Sequence, residues 1–331
     1  MPREQVSLAR LIRMSSHRFS QLVAALPSRY ADNVVITGYS VELIPHETHQ
    51  RRRPSPKLWQ PVRPEEAAKL SDSRLQLHHA AQFAAAAGIS FLPHLSDDSH
   101  TNLEWVPALG GLFSRVIPAR IPFRVGVKPV KLSVVMVTDE NRPIAEYRLH
   151  GRTIIETRDW IRSQIELLGA DGSRYTLTRD YEIPRHDVTY GEAFDASDSA
   201  HFEELANWFS NGAALLSSVT RSSLVASDLR CWPQDFDIAT LIEVVPGRVI
   251  GVGLEPGDDY YDEPYFYVSM RPQPAASRTR SRPLWGRGTW HTFEWIGAVL
   301  PGSRLGAASS QERQIREFLD SALSACRTLL H

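Results

Sequence analysis

Residues 238–270 read IATLIEVVPGRVIGVGLEPGDDYYDEPYFYVSM, and the fold class follows from how this stretch is punctuated. Ile238–Val245, Arg248–Leu254 and Pro264–Met270 are β-type runs parted by Pro, Gly and Asp, and Thr289–Leu300 is a fourth. Connections this short favour antiparallel pairing, because parallel neighbours need a crossover of roughly a dozen residues or more.

Around this core of strands the chain reads as helices. Upstream, Ala200–Ser217 predicts an amphipathic helix with Phe202, Leu205, Phe209 and Leu216 facing inward. Downstream, Ser309-x-x-Glu312 opens a closing helix to about Leu330, in which Cys326 shares a face with Ile315, Leu319, Ala322 and Leu329. Farther upstream, Thr153-Ile154-Ile155-Glu156 is a capping box for a helix to about Leu168. Ile154, Ile161, Ile165 and Leu168 form its stripe and Gly169 its stop. Val130–Thr138 and Ile144–Leu149 predict strands joined by the turn Asp139–Pro143, and alanine-rich Arg74–Ala87 predicts a helix. Asn33–Ile44 reads as a strand with an irregularity at Gly38.

The expected fold is therefore α+β, an antiparallel sheet in the C-terminal half with amphipathic helices packed on it and a closing C-terminal helix. Three segments are expected. Residues 1–60 form an opening segment ending in the basic linker Arg51-Arg52-Arg53-Pro54-Ser55-Pro56. Residues 61–190 form an α+β half, and 191–331 the antiparallel-sheet half. The two halves either make one compact domain or meet near residues 185–200.

The 331 residues carry 37 Lys and Arg against 38 Asp and Glu, a net charge of -1, which excludes a global field for nucleic acid. No nucleic-acid partner is expected. No stretch approaches the roughly 18 apolar residues needed to span a bilayer, and Met1–Ser20 lacks the apolar run of a signal peptide. A cytoplasmic protein without a membrane partner is expected. Two cysteines are too few for a disulfide framework or a four-thiolate zinc site. Composition leaves the oligomeric state open.

Some tempting motifs fail. Gly251-Val252-Gly253 is not a G-x-G-x-x-G loop, and Pro256, Asp258 and Asp259 stand where phosphate would meet a helix N-terminus. His46-Glu47-Thr48-His49 falls one residue short of the i, i+4 zinc spacing.

The chemistry-bearing residues cluster elsewhere. Between Arg248 and Arg271 lie Glu255, Asp258, Asp259, Asp262 and Glu263, interleaved with Tyr260, Tyr261, Tyr265 and Tyr267 and with no base. Burying an unpaired carboxylate costs several kcal/mol. The cluster is thus either a solvated turn or a site in which Asp258 and Glu263 enter a cleft as general acid and base, leaving Asp259 and Asp262 exposed. The following Arg271, Arg278, Arg280, Arg282 and Arg287 compensate that charge or bind an anion. In Asp97–Trp105, His100 and Glu104 are candidates for a shared site, against a capped turn that only satisfies local backbone. Trp232–Asp237 and Trp290–Trp295 set polar groups between large aromatics, the composition of a pocket wall and equally of a core edge.

Together these give Asp258, Glu263 and His291 as catalytic candidates. Trp232, Tyr265, Trp290, His100 and Glu104 are candidates for binding a small-molecule substrate, and Asp235, Asp237 and Asp258 for a divalent metal. Oxygen donors point to magnesium, manganese or calcium; histidines would admit zinc or iron. The leading expectation is an enzyme performing hydrolysis or proton transfer, with metal assistance. The alternatives are a non-catalytic ligand- or protein-binding module built on the acidic, tyrosine-rich turn, and blocks that only maintain the fold.

The blocks CWPQDFDIATLI, GVGLEPGDDYYDEPYFYVSM and WHTFEWIGAVLP, in this order, resemble a family of uncharacterised bacterial proteins, with LQLHHAAQ and DDSHTNLEW similar to its larger members. The resemblance covers about residues 229–300 strongly and 75–165 weakly. It implies a shared fold and transfers no activity. Histidine is frequent in that family at the position of Asp235, a departure that weakens any reading needing an imidazole there.

Overall fold

The computed structural model describes residues 59–223 and 225–330. The strand expected at Asn33–Ile44, the linker at 51–56 and the His46–His49 stretch lie outside the described residues. Along the chain come α1 (Ser71–Phe91), β1 (Glu104–Val106), β2 (Gly111–Phe113), β3 (Phe123–Lys128), β4 (Ser133–Thr138) and β5 (Pro143–Arg148). Next are α2 (Ile154–Leu167), α3 (Ser199–Arg221), β6 (Arg230–Cys231), β7 (Ile238–Val245), β8 (Arg248–Glu255) and β9 (Tyr265–Arg271). The one-turn α4 (Ala276–Thr279), β10 (Thr289–His291), β11 (Gly297–Pro301) and α5 (Gln311–Leu330) close the chain.

The C-terminal strands form one antiparallel sheet in the order β10-β11-β9-β8-β7-β6, so the α+β class read from residues 238–270 holds. The fourth run is two strands rather than one. Glu294, at φ 61°, turns the chain between them, and β10 folds back to pair Thr289 with Val299 of β11. A second antiparallel sheet, β1 to β5 in sequence order, fills the N-terminal half. Of its strands only β4 and β5 were expected. Val130 lies in the 3-10 turn Pro129–Lys131, so β4 begins only at Ser133.

The helices follow the sequence signals closely. Thr153 Oγ1 accepts from the Glu156 amide (3.2 Å) while Glu156 Oε2 accepts from the Thr153 amide (2.8 Å), completing the expected capping box at the start of α2. Helix α1 is longer than expected and has no solvent face over most of its length, being buried from Ser73 to Gly88 apart from Leu75. It lies on β3 and β4 and against α3, while α3 also touches β7 and β8 and α5 covers β9 and β8.

One buried apolar cluster runs through both sheets. It takes Val125, Val134 and Met136 from the first, Ile250, Val252, Phe266 and Val268 from the second, and Phe83, Trp208, Phe209, Phe318 and Cys326 from the helices. Each large side chain buried in this way contributes about 1.5–3 kcal/mol. A bridge between Leu103 and Cys231 joins the sheets edge to edge. The other face of the C-terminal sheet carries a small second cluster of Ala239, Tyr265, Tyr267, Trp295 and Val299. Among the described residues no helix is long and apolar enough to cross a membrane.

Candidate functional site

The site begins with the turn Trp232–Asp237, which leads into β7. The Phe236 amide donates to the Trp232 carbonyl (2.7 Å), with Phe236 at φ 71°, a costly conformation for a bulky residue. Helix α1 holds it there. The His78 ring stacks on Phe236 (4.9 Å, 7°), and the Pro233 carbonyl accepts from both His78 Nε2 (2.8 Å) and Gln82 Nε2 (2.7 Å). Gln82 Oε1 in turn accepts from the Tyr181 hydroxyl (2.8 Å). Burial pushes the His78 pKa down to about 3. The imidazole is thus neutral and protonated at Nε2, since a carbonyl only accepts.

Opposite this turn, β8 ends at Glu255, which is 1% exposed. The turn beyond it is tied to α1 by Arg74, whose guanidinium donates to the Gly257 carbonyl and to Asp262 Oδ1 (2.9 Å). Asp258 folds the turn on itself: Oδ1 accepts from the amides of Tyr260 and Tyr261 (both 2.9 Å) and Oδ2 from the Tyr265 hydroxyl (2.9 Å). Asp237, fully buried, accepts from the Tyr267 hydroxyl (2.6 Å). That bond crosses β8 above Gly253, where a Cβ would lie 2.5 Å from the Tyr267 ring. Ile238 pairs with Leu254, so Asp237 and Glu255 occupy the next step of the same register. Burial first, and Asp237 and Glu255 after it, hold both the Cys231 thiol and the Tyr267 hydroxyl far above their usual range.

These elements enclose a cleft of about 320 Å³ lined by Arg74, His78, Tyr181, Asp235, Glu255, Gly257 and Asp258, among others. Of the residues singled out from sequence, Asp235 and Asp258 reach it and Asp237 lies on the strand end beneath. Glu263 turns the other way, accepting from the Ser303 amide (2.6 Å) and hydroxyl (2.8 Å), so Asp258 and Glu263 do not converge. His291 sits on the outer aromatic cluster, stacked on Trp295 (4.5 Å). Its Nε2 donates to the Phe293 carbonyl (2.6 Å) and its Nδ1 accepts from Tyr261 (3.0 Å). Tyr265 is buried there, and Trp232 packs beside it. Trp290 packs against the main core with its indole N–H on the Arg282 carbonyl (2.7 Å). Asp259 and Asp262 are exposed.

The pair His100 and Glu104 is not brought together. Glu104 takes ion pairs with Arg124 (2.8 Å) and Arg230 (3.6 Å), while His100 turns to His94 (ring centroids 4.9 Å) and Asp98. One ligand atom from each of His94, Asp98 and His100 lies within 4.8 Å of the others. Asp235, Asp237 and Asp258 are not gathered in this way, because Asp258 faces its own turn and Asp237 faces Tyr267. Burial, with Asp180 adding to it, raises Asp98 to about 6, and burial lowers His100.

Sequence reasoning passed over Arg74 and His78, on a helix too uniformly buried to show a functional face, and left Glu255 undistinguished among its acidic neighbours. Its signal was strand alternation: Glu255 shares a face with Gly251 and Gly253, not with Val252 and Leu254. Compared with known proteins, the chain matches no protein-family description, no curated protein and no solved structure.

Proposed function

We propose that the chain is an enzyme that binds a small polar molecule in the cleft at the end of the C-terminal sheet and acts on it by hydrolysis or proton transfer, with Glu255 as proton carrier. The observation that carries this reading is that Glu255, 1% exposed, still lines the cleft. A carboxyl costs several kcal/mol to bury, and Asp237 is buried at the adjoining position. Adjacent carboxyls in unlike surroundings are the arrangement in which one holds a fixed charge and the other exchanges a proton. The Tyr267 hydroxyl on Asp237 suits the fixed charge, and the cleft gives Glu255 access to substrate. Asp235 and Arg74 supply orienting charges in the cleft lining, and neutral His78 keeps the turn in place.

The test is turnover of esters, amides, phosphate monoesters and glycosides by the parent protein, Glu255→Gln and Glu263→Gln. Assays run with and without magnesium and manganese, since oxygen donors suit hard cations. Parent turnover of one class, lowered at least about 100-fold in Glu255→Gln, is expected, as general acid–base groups contribute about 10²–10⁴. Glu263→Gln should retain it. Unchanged turnover in Glu255→Gln overturns the role of Glu255, and no turnover by the parent overturns the hydrolytic reading. Saturable binding without turnover would favour the non-catalytic binding module instead.

A further inference from the structure

The structure assigns a zinc-class metal site to His94, Asp98 and His100, in the loop between α1 and β1. The spacing His94-x-x-x-Asp98-x-His100 places three donors in seven residues, and the fold closes them to within 4.8 Å of one another. Ligands held at about 2.1 Å from zinc lie no more than about 4.2 Å apart, so small side-chain rotations complete the site.

The loop is built to hold that geometry. Asp98 stands at φ 56°, and its carbonyl accepts from the Thr101 amide (3.0 Å) and hydroxyl (2.9 Å). Arg115 Nε donates to the Ser99 carbonyl (2.6 Å). Gly88 of α1 admits the loop, since any Cβ there would meet the His100 carbonyl at 2.1 Å. The Leu95 amide donates only weakly to His100 Nδ1 (3.4 Å), a long contact that a metal taking that lone pair would replace at little cost.

Burial runs across the site from His100, buried, through Asp98, half-buried, to His94, exposed, which leaves one side open for water or a further ligand. Asp180 is close enough to act electrostatically on both Asp98 and His100, and it precedes Tyr181 of the cleft wall. Two imidazoles with one carboxylate select zinc, cobalt or iron(II) over magnesium or calcium. The site owes nothing to the enzymatic reading of Glu255.

The experiment uses the tag-free full chain, stripped with a chelator and titrated with zinc, then with cobalt(II) as a visible probe. One zinc per chain is expected, with cobalt d–d bands that zinc abolishes and excess magnesium does not. His94→Ala and Asp98→Asn should weaken zinc more than about 100-fold, since second-shell partners alone are worth roughly 10–100-fold. Glu255→Gln should leave zinc affinity unchanged, separating this site from the cleft. His94 is exposed, so its variant keeps the fold, as an unshifted metal-free Tm would show. No saturable zinc binding, or parental affinity in both ligand variants, overturns the assignment.

Discussion

His78 joins burial, hydrogen bonding and pH in a single side chain. Its folded pKa of about 3 lies below the unfolded value of 6.5, so protons bind the unfolded chain first. The stability it contributes is whole above about pH 6.5 and is lost as pH falls toward 3, by about 1.4 kcal/mol per pH unit. His79, lowered to about 4 by burial, acts with the same sign. Asp98, raised to about 6, has the opposite sign, its contribution fading as pH rises through that value, but it is common to any pair of His78 variants. His78→Gln keeps a donor for Pro233 and removes one titration. Urea unfolding between pH 6 and 4 should therefore show a decline shallower by about 1.4 kcal/mol per unit than in the parent; an equal slope would refute the assignment. At this scale the site was half legible. Asp235 and Asp258 stood out because acids and aromatics were crowded into short blocks. Arg74 and His78 did not, because nothing in an alanine-rich helix tells which buried polar residue faces a cleft and which a carbonyl.

Among the elements, β8 shows why a strand with glycines can be the best determined part of a sheet. Gly253 leaves room for Tyr267 to cross to Asp237, joining β9 to β7 over the strand between them. Gly253→Ala forces the ring aside and should cost about 1–3 kcal/mol. Tyr267→Phe, which removes the donor to a buried carboxyl, should cost a similar amount. Since both act on one contact, the double variant should be destabilised by clearly less than the sum. Strict additivity in urea unfolding would sink this account. The strands β7 to β9 were readable because Pro, Gly and Asp bracket long β-branched and aromatic runs, and α2 because its capping box is local chemistry. By contrast β1 and β2 have three residues each, too few for alternation to register, and β3 hides its period by burying Arg124 along with Val125. The break between β10 and β11 was invisible because Glu294 gives no sign of a positive φ.

Taken as a whole molecule, two antiparallel sheets share one core, with α1 and α3 between them and the Leu103–Cys231 bridge at their seam. The sequence left open whether the halves stand apart, since that depends on which faces of α1 and α3 are covered: α1 is buried on nearly all sides over most of its length, and α3 along the face that carries Phe202, Leu205, Phe209 and Leu216. The seam has a further consequence through sulfur. Cys231 lies at the junction of the sheets and Cys326 in α5, each with 0% exposure, and a disulfide reagent can reach neither without the chain opening. The two thiols are thus built-in clocks in different elements of the molecule. If the shared core makes opening all-or-none, the reagent should modify both at one rate, equal to that of global unfolding. A faster Cys326 would mean that the closing helix lifts by itself, and a faster Cys231 that the sheets part while the rest stays shut.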